Sequence, residues 1–143
     1  MKRISVKGHA NAPAEAVYEL LRDGSTWTEW APFDSFEIVE EGDAERLGEV
    51  HVFRTGRHVT RERIVELVPN RRYAYELLAG PPLRDYRAYV DLEPDDTGTL
   101  IHWHSSFRPG RPGTGWIYRN YLSRFIGRCL TGLAERASAT ASA

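Results

Sequence analysis

Residues 58–107 read HVTRERIVELVPNRRYAYELLAGPPLRDYRAYVDLEPDDTGTLIHWHSSF, and this stretch decides the fold. Runs rich in Val, Ile, Tyr, Phe, Trp and Thr, at 58–68, 72–79, 84–93 and 99–107, are cut by Pro69-Asn70, Gly80-Pro81-Pro82 and Pro94-Asp95-Asp96-Thr97-Gly98. Branched and aromatic side chains suit a pleated, half-buried surface, whereas Gly, Pro, Asn and Asp favour turns. Connections this short cannot hold a crossover helix, so the runs pair antiparallel as successive hairpins. Period-2 alternation assigns the faces. Tyr86, Ala88, Val90 and Leu92 share the inward side of 84–93, Ile101, Trp103 and Phe107 that of 99–107, and Tyr73, Tyr75 and Leu77 that of 72–79.

Working upstream, 36–40 and 48–54 are further strand-like runs, bounded by Glu41-Gly42-Asp43 and Thr55-Gly56. Residues 3–9 alternate loosely and bring the expected total to about seven strands. Pro13 suits the first turn of a helix over 14–22, whose Val17, Leu20 and Leu21 share a face. Ser25 to Trp30 reads as a second short helix with Ser25 as N-cap, ended by Pro32. Downstream, Pro109-Gly110-Arg111-Pro112-Gly113 stops the sheet. A long helix follows over roughly 114–136, with Tyr118, Leu122, Phe125, Ile126, Cys129, Leu130 and Leu133 on one stripe. The small, polar residues 137–143 are expected to fray. The chain therefore divides into one domain over 1–138 and a tail over 139–143.

A chain of 143 residues with 41% hydrophobic and 27% charged residues suits one globular domain with a substantial core. The single cysteine, Cys129, excludes an internal disulfide framework and a paired-cysteine zinc or redox motif. Nineteen basic and twenty acidic residues nearly cancel, so no nucleic-acid partner is expected. The apolar runs are too short for an integral membrane segment, and the start, Met-Lys-Arg-Ile-Ser-Val-Lys, lacks a secretory apolar stretch. A cytoplasmic location is the expectation. The strand faces are compatible with a monomer or a homodimer.

One strand, two short helices, six more strands and one long helix make an α+β domain whose sheet must be covered by the last helix. A twisted sheet of that width curls round a single helix, the short helices plug one end, and a gap remains between sheet and helix. Several segments resemble the START-related SRPBCC superfamily, which has the Bet v 1-like helix-grip fold. They are Asn11-Ala12-Pro13-Ala14-Glu15-Ala16-Val17-Tyr18 and Trp27 through Pro32. Arg61-Glu62-Arg63-Ile64-Val65-Glu66, Pro69 through Tyr75, Arg84-Asp85-Tyr86 and Gly98 through Trp103 are similar to its polyketide cyclase/dehydrase and lipid-transport branch. The resemblance spans about residues 3–136. It implies an internal cavity for a small hydrophobic molecule, aromatic or polyketide-like; no cofactor is expected, since no GxGxxG follows a strand and no calcium or phosphate loop appears. It leaves open a carrier, a cyclase or dehydratase working by pocket-templated proton transfer, and an interaction module using the arginines of the last helix.

Candidate site residues follow from the faces. Tyr73, Tyr75, Tyr86 and Trp103 look across at Tyr118, Leu122 and Phe125, with Trp30 at the plugged end, an aromatic wall with a few polar handles. The ordinary alternative for each is a core side chain. Glu62 and Asp85 are the candidate carboxylates, Glu62 being the catalytic candidate. Alternation groups Glu62 with Ile64, while Val59, Val65 and Leu67 favour the opposite face, and a bulge near 65–66 would reconcile the two. A carboxylate buried there has its pKa raised and can act as a general acid or base; paired with an arginine it is structural. Arg119 falls near the edge of the helical stripe and either anchors an anionic group or reaches to water. His102 and His104 share a strand face, but no third ligand stands near them in sequence, so no metal site is expected. Cys129 reads as a small buried hydrophobe.

Overall fold

The structure is a computed structural model that describes residues 1–141. Strand β1 (Lys2–Ala10) is followed by helix α1 (Ala14–Arg22), a 3-10 turn (Gly24–Thr26) and the one-turn helix α2 (Trp27–Trp30). Six strands come next: β2 (Ser35–Glu40), β3 (Val50–Thr55), β4 (His58–Val68), β5 (Arg72–Ala79), β6 (Leu83–Asp95) and β7 (Gly98–Pro109). Helix α3 (Gly115–Ala141) ends the described chain. All pairings are antiparallel, in the order β1-β7-β6-β5-β4-β3-β2. The first two strands thus form opposite edges of one sheet, and α1 and α2 carry the chain between them.

This is the helix-grip arrangement read from the sequence, with two local differences. Asp23, not Ser25, caps the short helical segment: its carboxylate accepts from the Ser25 backbone N–H at 3.1 Å and from the Ser25 hydroxyl at 2.6 Å. Asp23→Ala should cost about 1 kcal/mol of stability, the usual effect of losing an N-cap, read as a lower urea midpoint with unchanged slope. Helix α3 also runs on through Ala141, past the expected end near 136, where Ala137 is buried and the Ser138 hydroxyl accepts from the Asn11 backbone N–H at 2.9 Å. That contact holds residues expected to fray; 142 and 143 lie outside the described residues.

The sheet's inner face and α3 enclose the core. Trp27 lies at its centre, with ring centroids 4.7 Å from Trp30, 5.2 Å from Phe53 and 5.8 Å from both Tyr73 and Trp103. Its indole N–H donates to the Leu21 carbonyl at 2.9 Å, which satisfies the one polar atom of a side chain only 1% exposed. Two glycines let α3 approach. A Cβ at Gly8 of β1 would lie 2.3 Å from Leu130 Cδ2, and one at Gly132 would lie 1.8 Å from the Trp30 carbonyl oxygen. The helix is therefore pinned at its C-terminal half against β1 and α2. Its N-terminal half bridges the open part of the sheet.

Candidate functional site

Under that bridging half lies a cavity of about 610 Å³, within the range typical of small-molecule sites. Its floor is the inner face of β4 to β7: Thr60 and Glu62, Tyr75 and Leu77, Tyr86, and Trp103. Its roof is α3, through Ile117, Tyr118, Tyr121, Leu122, Phe125, Ile126 and Cys129. Trp27 and Phe33 close one end. At the other, the β3–β4 turn (Arg57, His58) and the β5–β6 turn (Pro81, Pro82) meet the exposed Ile117 and Tyr121 of α3.

The inward face of Glu62 is decided by β4's irregular pairing. Glu62 lies opposite Leu77, Ile64 opposite Tyr75, and then Glu66 opposite Ala74, which leaves Val65 as an extra residue. A one-residue bulge reverses which alternate positions point inward. Glu62 and Ile64 therefore face the core before the bulge and Leu67, opposite Tyr73, after it. A second shift, between Arg61 and Glu62, lies at the cavity edge. The accessible part of Glu62 opens into the cavity. Burial pushes its carboxyl up to about 8, and among the described residues nothing hydrogen-bonds or ion-pairs with it.

The surrounding tyrosines are also shut from water. Burial raises the Tyr75 and Tyr86 hydroxyls above the usual phenol range and pushes the Cys129 thiol up, so all three are neutral at physiological pH. The Trp103 indole N–H donates to the Tyr75 hydroxyl at 3.3 Å. Two residues from Glu62 on the same face, Thr60 Oγ1 is buried without a hydrogen-bond partner. The site is an apolar chamber with one carboxyl, one free hydroxyl and a few phenols on its floor.

The structure brings Glu62, Tyr75, Tyr86, Trp103, Tyr118, Leu122 and Phe125 to one cavity. Four other candidates lie elsewhere. Trp30 is buried against Trp27 and Trp103, its N–H donating to Thr26 Oγ1 at 3.0 Å, and supports the end wall from behind. Tyr73 is 1% exposed and covered by Trp27, so it is core. Arg119 is exposed on the outer side of α3 and is not part of the wall. Asp85 is likewise exposed, in the bulge between Arg84 and Arg87, 3.9 Å from Arg108. Trp27, Phe33, Thr60 and Tyr121 line the cavity without having been singled out; for Thr60 the signal was its shared parity with Glu62.

On the sheet's outer face, pairing supplies the third metal-type ligand that sequence proximity did not. Asp91 sits opposite His102, and one ligand atom from each of Asp91, His102 and His104 falls within 4.8 Å of the others. Each already has partners, however. Arg72 holds the Asp91 carboxylate with bonds of 2.6 and 3.1 Å, His104 bonds it at 2.7 Å, and His102 bonds Ser5. Partial burial opposes Asp91's ionisation, but the Arg72 and His104 bonds outweigh it and hold the carboxyl below the usual range. A cation there would have to displace the guanidinium.

A seven-stranded antiparallel sheet gripping one long helix over an internal chamber defines a helix-grip domain. The sequence matches the model of the polyketide cyclase / dehydrase and lipid transport family over residues 1–138, and the chain belongs to that family. Solved structures agree in fold. A START superfamily protein from Mycobacterium smegmatis superposes with a TM-score of 0.82 at 14% identity, over 96% of this chain and 98% of that one. XoxI from Bacillus cereus gives 0.80 at 17% identity, covering 95% of each chain. A protein from Thermobifida fusca gives 0.78 at 26% identity, covering 96% of this chain and 93% of that one. Comparison with curated protein sequences gives no match. Among the described residues, no helix is long and apolar enough to cross a membrane.

Proposed function

We propose that this protein binds a small hydrophobic molecule, of aromatic or polyketide-like shape, in the chamber between the sheet and α3. The observation that carries the reading is the chamber itself: about 610 Å³ walled chiefly by aromatic and aliphatic side chains. Removing apolar ligand surface from water contributes roughly 25 cal/mol per Å², so burial alone supplies a binding force without bond chemistry. Membership of a family described by both cyclase/dehydrase and lipid-transport activity supports a ligand-handling role.

A second reading, a cyclase or dehydratase, is favoured by Glu62. A carboxyl with pKa about 8 on the floor of a templating chamber is suited to moving protons near neutral pH. No hydrogen bond joins it to a tyrosine hydroxyl among the described residues, so the acid–base pair that such a reaction would use is not assembled, and binding is the better-supported role.

Titration with 1-naphthol, followed by quenching of tryptophan fluorescence, tests the binding reading, because Trp27 and Trp103 both line the wall. Leu122→Trp, which fills part of the chamber from the roof, should weaken binding at least about tenfold while the fold persists. Undiminished quenching in that variant would place the naphthol elsewhere.

A further inference from the structure

Two other carboxylates that the fold takes wholly or partly out of water have basic partners. Glu49, 3% exposed, pairs with His51 and lies 3.7 Å from Arg46, and Asp91 is gripped by Arg72. Among the described residues, Glu62 has no such partner in its chamber. Its chain neighbours do not serve it: Arg63 pairs with Glu40 and Glu76 on the outer face, and Arg61 is exposed. The basic residues in the wall, Arg57 and His58, are exposed on the turn at the mouth.

We propose that the ligand of this chamber carries a basic nitrogen: a hydrophobic amine held as its ammonium ion against the Glu62 carboxylate, with its apolar body among Trp27, Tyr75, Trp103 and Phe125. The inference rests on the binding role above and names the class of ligand. Among the described residues no cationic side chain stands on the chamber floor to hold an anionic ligand, and a neutral ligand brings no counter-charge to Glu62. An ammonium group supplies the missing counter-charge where low polarity makes the pairing strong. It also offers three donors, and the unpartnered Thr60 Oγ1 stands on the same face as a second acceptor. The aromatic walls add cation–π attraction, which strengthens once the cation is stripped of water.

The proton balance gives the proposal a signature. The ionisable groups around Glu62 are Tyr73 and Tyr75 on β5, Tyr86 on β6 and Cys129 on α3, all kept neutral by burial. From β3, His51 stands opposite Glu62 in register, but it is bonded to Glu49, and burial lowers its pKa. Glu62 in the empty chamber holds its proton at neutral pH, and a primary alkylamine in water is already protonated. Forming the ion pair therefore expels the Glu62 proton to the buffer.

The experiment is calorimetric titration at about pH 7, in two buffers of different ionisation enthalpy, with 1-naphthylmethylamine and its neutral analogue 1-naphthalenemethanol. The amine should bind at least about tenfold more tightly and release about one proton per molecule bound, the alcohol none. Glu62→Gln should abolish both the proton release and the preference for the amine over the alcohol. Glu62→Leu should do the same, so the test survives if either variant folds poorly. An amine that binds no better than the alcohol, or releases no proton, overturns the amine proposal while alcohol binding upholds the chamber's role. If neither compound binds, the binding role fails with it.

Discussion

Gly132→Ala is expected to cost about 3 kcal/mol of stability or more and to lower the melting temperature by roughly 10 °C. Alanine is ordinarily the better helix residue by about 1 kcal/mol, so propensity alone predicts the reverse. Contact decides the sign. The new Cβ would lie 1.8 Å from the Trp30 carbonyl oxygen, and that atom is backbone at the end of α2, which cannot rotate away as a side chain could. To accommodate the methyl, α3 must lift from α2, loosening the packing of Trp30 on Trp27 and Trp103 that backs the closed end of the chamber. Gly127, five residues earlier on the same helix, is the internal control: nothing lies within 4 Å of its would-be Cβ. Gly127→Ala should stabilise the protein by up to about 1 kcal/mol, the propensity gain with no steric opposition. Thermal melts of the two variants moving in opposite directions would bear the argument out; equal shifts would mean that α3 does not seat on α2 as described.

The architecture was legible because the strands are separated by Pro, Gly, Asn and Asp clusters and followed by one unbroken helical stripe. Such local signals fix element type, and hairpin-length turns fix the neighbours. The site was legible where alternation within a single strand suffices, as for Tyr75, Tyr86 and Trp103. It failed where a neighbouring element decides. Tyr73 shares its face with Tyr75, yet Trp27 comes between it and the chamber, and Trp27 rather than the expected Trp30 lines the chamber because α2's rotation is set by packing against Gly132. Arg119 lay at the edge of the apolar stripe, where a small helix rotation separates wall from solvent. Asp91 joins the histidines only through cross-strand register, across ten residues of sequence. For Glu62 the local pattern was contradictory, and the contradiction was itself the signal: the extra residue at Val65 is what lets one strand present two opposite parities to the core.

Because that bulge turns a carboxyl inward without a partner, the wild-type protein should lose a few kcal/mol of stability, relative to Glu62→Gln, as pH rises from about 4.5 to about 8. In the unfolded chain a glutamate gives up its proton near 4.5, whereas in the folded protein burial holds that proton until about 8. Between these values the native state binds the extra proton, so Glu62's contribution is fully present below the lower value and lost as pH climbs through the upper one, at up to about 1.4 kcal/mol per pH unit. Water entering the chamber screens the charge and trims the total. Glutamine keeps the shape and has no proton to lose, and titration of Asp91, His51 and the remaining groups is common to both proteins and cancels in the difference. Urea unfolding of the pair from about pH 4.5 to 9 should therefore give curves that nearly meet at the acid end, diverge through neutrality with the variant above, and run parallel beyond about pH 8. Curves parallel throughout would show that Glu62 is solvated or paired in solution. The divergence is the free energy that an arriving counter-charge can recover, which is why a fold with an isolated carboxylate on its chamber floor is less stable empty than filled.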